Sequence, residues 1–292
     1  VLENNYVEVT SELATQYINT GGFDMLGSGR GKIESEKDLA KALEVCQRHE
    51  LNGLVVIGGD DSNTNACVLA QYFAAAGSKT KVVGVPKTID GDLKNEFVET
   101  SFGFDSATKL YSEIISNIAI DARSARKYYH FIRLMGRSAS HITVECALQT
   151  QPNLAFVGEE IAEKNLRLRD LVDQVADLVI KRAKQQKNFG IILVPEGVIE
   201  FVPEIKKLIF QINDILSEVD PEQKLLLDQR RSSVEAKLAQ YPELLETFES
   251  FPRDFADQLL WDRDPHGNVQ ISRVETENLI AQMVSAKLNK EN

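Results

Sequence analysis

Cysteine is scarce in this 292-residue chain: Cys46, Cys67 and Cys146 are an odd set with no CxxC pair. A disulfide framework and a thiolate zinc site are therefore not expected, and a reducing, cytoplasmic setting is. Basic charge is also short. Against 44 Asp and Glu stand 33 Lys and Arg, a net charge of -11 with no basic patch, so nucleic-acid phosphates and anionic lipid surfaces are not expected partners. No apolar run reaches the roughly 18 residues of a membrane span, and Val1 to Thr20 has neither the basic start nor the apolar middle of a secretory leader. A GxGxxG after a strand, a GxxxxGK[ST] loop and an HExxH are all missing, so neither a dinucleotide fold nor a Walker phosphate loop is supported. His49, His130 and His141 form no triad order. What remains is ordinary for a soluble globular protein: 43% hydrophobic and 26% charged residues, enough for one large or two ordinary domains. The first residue is Val, not Met, which leads us to expect a fragment.

Glycine is unevenly placed: sixteen of 17 lie from Gly21 to Gly197. Two regions are therefore expected, 1–202 and 203–292. In the first, short β-branched runs alternate with amphipathic segments, the pattern of a parallel α/β sheet. Strands are expected at Gly53–Ile57, Lys81–Val85, Tyr129–Leu134, Leu154–Val157 and Gly190–Val194, each apolar enough to be buried on both faces. Helices are expected at Glu36–Glu50 with Ser35 as N-cap, at Asn63–Ala76, at Phe104–Ala125 and over the Leu168 to Val179 stripe. The second region reads as helical: Lys206–Glu218, Glu222–Gln240, Pro242–Phe248, Phe255–Trp261 and Arg273–Leu288, with a turn at Asp264–Asn268 and a short Val269–Ile271 strand. It is expected to serve as scaffold, interface or lid.

Chemistry concentrates at strand ends. Gly58-Gly59-Asp60-Asp61-Ser62-Asn63 lies between an apolar strand and a helix, where glycine lets the backbone approach a phosphate and helix N–H groups face it. Two adjacent carboxylates would repel bare phosphate, so a hard cation such as Mg²⁺ is expected to mediate. Read alone, this is a strand-to-helix turn capped by Asp and Ser. Pro86-Lys87-Thr88-Ile89-Asp90-Gly91-Asp92 ends the next strand. Lys87 and Thr88 can hold phosphoryl oxygens, and Asp90 or Asp92 can accept a proton from an attacking hydroxyl. Met135-Gly136-Arg137 and Pro195-Glu196-Gly197 end two further strands, and ligands gather at such carboxyl ends. Arg137 can grip a phosphate in a fork, and Glu196 can accept from sugar hydroxyls. Gly27-Ser28-Gly29-Arg30-Gly31 presents one guanidinium suited to a moving phosphoryl group.

In order and separation, GGDDSNTNA, PKTIDGD, KYYHFIRLMGRSASH and PEG resemble the phosphofructokinases, specifically the long, pyrophosphate-dependent, β-subunit-like branch. The likeness runs from about Gly21 to the end. ATP-using relatives carry GGDGS and PGTIDND, so Asp61 and Lys87 point to pyrophosphate: one places a carboxylate where an α-phosphate would lie, the other adds attracting charge. The resemblance implies a Rossmann-like α/β fold with a helical extension, and a Mg²⁺-dependent, reversible phosphoryl transfer from pyrophosphate to O1 of fructose 6-phosphate in glycolysis. It implies Asp60 as metal ligand and Asp90 as base. Gly59, Ser62 and Lys87 would hold pyrophosphate. Thr88, Asp90 and Asp92 would line the junction, and Met135, Gly136, Arg137 and Glu196 would bind the sugar phosphate. Arg30 would neutralise the transferred group. Lys127 and Tyr128 resemble the family's reach into a neighbouring subunit, implying a homo-oligomer with a shared site. The family's opening GG-x-x-x-G-x-N turn and its later YEGR-like turn are not found, so an internal portion of a longer chain is expected. A non-catalytic regulatory subunit and an ATP-dependent kinase are the alternatives; Asp60, Asp61, Lys87, Asp90 and Asp92 argue against the first, and Asp61 and Lys87 against the second.

Overall fold

Two parallel sheets organise the chain, each in its own compact unit, Val1–Thr88 and Ile89–Asn292. The computed structural model describes all residues except 30, 32, 34, 221–223, 264–268, 271, 272 and 292.

The first unit opens with two short helices, α1 (Ser11–Gln16) and α2 (Gly22–Leu26), followed by α3 (Glu36–Arg48). Ser35 caps α3 as expected, accepting from Asp38 N–H at 3.1 Å while donating to its carboxylate at 2.7 Å. Then β1 (Gly53–Gly58), α4 (Asp60–Ala75) and β2 (Lys81–Pro86) form a βαβ unit, with Gly53 opposite Lys81 and Gly58 opposite Pro86. Leu39, Ala42 and Cys46 of α3 pack with Leu69 and Phe73 of α4 against Leu54 and Val82. The other face of this strand pair is bare: Val55 and Ile57 are 59% and 58% exposed and Val83 is 53% exposed. The expectation of strands buried on both faces is therefore corrected here, because α3 and α4 lie on one side only.

The second unit contains α5 (Phe104–Ala125), β3 (Tyr128–Leu134), α6 (His141–Thr150), β4 (Leu154–Ala155), α7 (Gly158–Glu163), α8 (Leu168–Ala183) and β5 (Phe189–Pro195), with sheet order β3-β5-β4. The 3-10 turn Val198–Phe201 leads into α9 (Pro203–Val219), α10 (Leu227–Leu238), α11 (Pro242–Glu249), α12 (Arg253–Trp261) and α13 (Thr276–Glu291). Central β5 is buried on both faces. Ile191 and Leu193 meet Ile115, Ala122, Ile142 and Cys146 of α5 and α6. Ile192 and Val194 join Leu171, Val175, Ile205, Leu208 and Ile212 in a larger core running into α13. Each fully buried Leu or Ile stabilises by roughly 1.5–3 kcal/mol. Residue 202, the compositional boundary, falls inside this unit, and Val202 itself belongs to that core.

Asp220 and Arg230 join α9 to α10 as a buried ion pair at 2.7 Å; Asp220 also accepts from Lys224 and Leu225 N–H, and Arg230 donates to the Leu260 carbonyl. Several boundaries shift from expectation: α4 starts at Asp60, β4 has two residues, α10 starts at Leu227 and α13 at Thr276. The expected Asp264–Asn268 turn lies outside the described residues, as does Ile271; Val269 makes a single antiparallel bridge to Arg263. Cys46 and Cys146 are buried and Cys67 is exposed. Among the described residues, no helix is long and apolar enough to cross a membrane.

Candidate active site

In the first unit the carboxyl ends of β1 and β2 bring the GGDDS and PKT segments side by side. Lys87 N–H donates to the Gly58 carbonyl at 2.6 Å, extending the parallel pairing one residue past the strands. Asn63 clamps the turn from within α4, its amide donating to the Gly58 and Gly59 carbonyls at 2.9 and 2.8 Å. That close approach leaves no room at Gly84, where a Cβ would lie 2.5 Å from Asn63 Oδ1. Gly59 is the N-cap of α4 and offers no side chain to its first turn, in which Asp60 and Asp61 stand exposed. Carboxylates there suit the helix dipole and point outward toward any cation that arrives. Gly59, Asp60, Asp61, Ser62, Lys87 and Thr88 thus share one sheet edge. Arg30 lies outside the described residues.

In the second unit the carboxyl ends of β3 and β5 interlock. Glu196 N–H donates to the Leu134 carbonyl at 2.9 Å and Gly197 N–H to that of Gly136 at 3.3 Å. Gly197 passes so close to the neighbouring turn that a Cβ there would lie 1.8 Å from the Arg137 carbonyl oxygen. Gly136 adopts φ +121°, a left-handed value that favours glycine. Ser138 donates to the Asp92 carboxylate at 2.9 Å, tying the acidic segment to the same turn. Between the two acids in sequence, Gly91 has φ +75°, and a Cβ there would come within 3.3 Å of His141 and 3.4 Å of Phe104. Met135, Gly136, Arg137, Glu196, Asp90 and Asp92 are therefore gathered at one rim.

Its electrostatics are acidic. Burial pushes the Glu196 carboxyl up, and Asp90 and Glu200 push it further, while Arg133 and Arg137 pull it back. Burial also raises Glu200, opposed by Arg137 and Lys206. Burial raises the Tyr111 phenol, and Cys146, Glu196 and Asp90 add to the rise. Arg137 is thus a cation set against both of these carboxylates. Tyr111, Ser138 and Glu200 were not singled out from sequence. Ser138 sits inside a quoted motif and Glu200 four residues after Glu196, but Tyr111 is one residue among many on α5.

Lys127 and Tyr128 lie elsewhere. They stand exposed at the amino end of β3, Tyr128 at φ +69°, about seven strand residues or ~20 Å from Met135. They cannot reach the rim of their own chain.

Parallel sheets with glycine-rich and acidic turns at their carboxyl ends define an α/β protein of the kind whose ligands gather at those ends. A family model described as Phosphofructokinase matches residues 1–233. The chain is 52% identical over 292 residues to pyrophosphate–fructose 6-phosphate 1-phosphotransferase subunit beta 2 of Arabidopsis thaliana, covering 99% of this chain and 49% of that protein. It is 52% identical over 289 residues to pyrophosphate–fructose 6-phosphate 1-phosphotransferase of Porphyromonas gingivalis, covering 99% of this chain and 52% of that one. The phosphofructokinase of Saccharomyces cerevisiae has a similar fold, with TM-score 0.52 and 16% identity over 79% of this chain and 33% of that one. The chain belongs to the phosphofructokinase family, as its motifs led us to expect. It spans about half the length of the curated relatives it matches.

Proposed function

We propose that this chain carries out reversible phosphoryl transfer from pyrophosphate to the O1 hydroxyl of fructose 6-phosphate, giving fructose 1,6-bisphosphate and inorganic phosphate. The reading is supported above all by the adjacency of the GGDDS turn and Lys87, joined by the 2.6 Å bond from Lys87 N–H to Gly58. In this reading Asp61 and Lys87 are the two residues that separate a diphosphate from a nucleotide. The Asp61 carboxylate opposes the α-phosphate a nucleotide would bring, and the Lys87 ammonium offsets the charge of pyrophosphate. Gly59 and Ser62 give backbone and hydroxyl contacts, and Arg30 neutralises the group in flight.

Mg²⁺ fits the donor side. Among the described residues no three His, Cys, Asp or Glu side chains come together as a metal cage. Magnesium is usually held by one or two carboxylates together with substrate phosphates and water, and Asp60, exposed in the first turn of α4, is such a carboxylate. When bound, the ion would neutralise charge on the phosphoryl oxygens. On the donor side Thr88 adds a hydroxyl; on the acceptor side Asp90 takes the proton from O1, with Asp92 beside it, Met135 and Gly136 shape the sugar pocket, and Arg137 and Glu196 hold phosphate and hydroxyls. Positioning and charge do most of the work in such transfers. Lys127 and Tyr128, far from their own rim, would serve the site of a second copy in a homo-oligomer. The acidic composition and three free cysteines suit a cytoplasmic glycolytic enzyme.

The test is a coupled assay of the full-length protein with fructose 6-phosphate, Mg²⁺ and either pyrophosphate or ATP. Turnover with pyrophosphate and little with ATP is expected; a preference for ATP, or none with either, would overturn the reading.

A further inference from the structure

We propose that Arg133 is a positioning residue for the acceptor side, fixing Glu196 through the segment that opens α13; this rests on the acceptor role given to Glu196 above. Arg133 sits in β3, opposite Val194 of β5. A charge in a strand otherwise made of apolar and aromatic residues must be paired. Its partners lie more than a hundred residues away. The guanidinium donates to the Val274 carbonyl at 2.9 Å and stands 3.5 Å from a Glu277 carboxylate oxygen, the two side chains only 31% and 19% exposed. Between Val274 and Glu277, fully buried Thr276 donates its hydroxyl to the Glu196 carbonyl at 3.4 Å. On the other side, Glu196 N–H is held by Leu134, the residue after Arg133. Glu196 is thus gripped by β3 and by the start of α13, and Arg133 joins the two grips.

Arg133 also faces the carboxylate electrically. The charged and titratable groups acting there are Asp90 from the segment after β2, Tyr111 of α5, Arg133 and Arg137 of β3 and its turn, and Glu200 of the 3-10 turn, with Glu277 of α13 behind Arg133. Without Arg133 only Arg137 would oppose burial, Asp90 and Glu200. Glu196 would then take up a proton at higher pH and stop accepting from sugar hydroxyls.

In the full-length protein, Arg133→Met should raise KM for fructose 6-phosphate about tenfold, the loss of a charged hydrogen bond, with a much smaller change in kcat. Over about pH 5 to 8, the acid limb of kcat/KM should move upward. Arg133→Lys, which keeps the charge, should restore the acid limb. Deuterium uptake at residues 196–201 and 274–277 should rise in Arg133→Met and less in Glu277→Gln, which keeps shape and serves if the Met variant does not fold. Unchanged KM, acid limb and uptake would overturn the proposal. A parent protein with no sugar-phosphate turnover would overturn the functional reading instead, and uptake alone would then decide whether Arg133 clamps α13.

Discussion

Gly197 is the narrowest point of the acceptor rim, and Gly197→Ala tests it. The added Cβ would lie 1.8 Å from the Arg137 carbonyl oxygen and 2.6 Å from its carbonyl carbon. A carbon approaches a carbonyl oxygen to about 3.3 Å at closest, so the two turns must part by roughly 1.5 Å. Both clashing groups are main chain, and no rotamer change relieves them. The bond from Gly197 N–H to the Gly136 carbonyl, already 3.3 Å, is lost with the movement. Overpacking of this kind costs about 1–3 kcal/mol of stability. The Arg137 side chain is displaced with its backbone, and a misplacement of about 1 Å lowers kcat/KM about a hundredfold. Urea unfolding and steady-state kinetics with varied fructose 6-phosphate read both effects. Gly53→Ala is the control: its Cβ would meet only the Lys81 carbonyl, at an ordinary 3.7 Å. A Gly197→Ala protein matching its parent within twofold in kcat/KM, at equal stability, would refute the interlock.

Asp90→Ser should lower kcat by about 10²–10⁴ with little change in KM, since a general base acts on the transition state; near-normal turnover would remove Asp90 from that role. Asp61→Gly combined with Lys87→Gly should admit ATP, read as kcat/KM for ATP against the parent, and no gain would end the donor argument. Asp220→Asn should cost about 3–5 kcal/mol at pH 7 in urea unfolding, because it leaves buried Arg230 unpaired. Burial pushes the Asp220 carboxyl up, but bonds from Leu225 and Lys224 N–H and the Arg230 guanidinium outweigh it and hold the group low. Its folded value lies below the unfolded one of about 3.9, so its contribution is complete above that pH and fades as pH falls through the folded value. The parent should therefore lose stability below about pH 4 and the Asn variant lose less; equal stability at pH 7 would contradict this.

Strand ends were legible in the sequence because a parallel strand is a short apolar run and its ligand-binding turn must follow it directly. That is why Gly58 to Ser62, Lys87 to Asp92, Met135 to Arg137 and Glu196 could be read in advance and proved to share two rims. Phe104–Ala125 was legible through length and periodicity. The start of α4 was not, because Asp60, Asp61 and Ser62 favour caps over helix interiors in local propensity. α6 and α7 are too short for a periodic signal. Arg133, Ser138 and Tyr111 act through partners distant in sequence, which no local pattern encodes. The bare Val55, Ile57 and Val83 face is not encoded locally either: a strand's composition does not say how many helical layers the chain supplies.

The most direct test of the central claim is phosphorus NMR of the full-length protein with fructose 1,6-bisphosphate, inorganic phosphate and Mg²⁺. A pyrophosphate resonance should grow as the C1 phosphate signal declines in equal amount, and Asp90→Ser should suppress both. Loss of the C1 phosphate to free phosphate without pyrophosphate, or no exchange at all, would contradict direct transfer between pyrophosphate and the sugar.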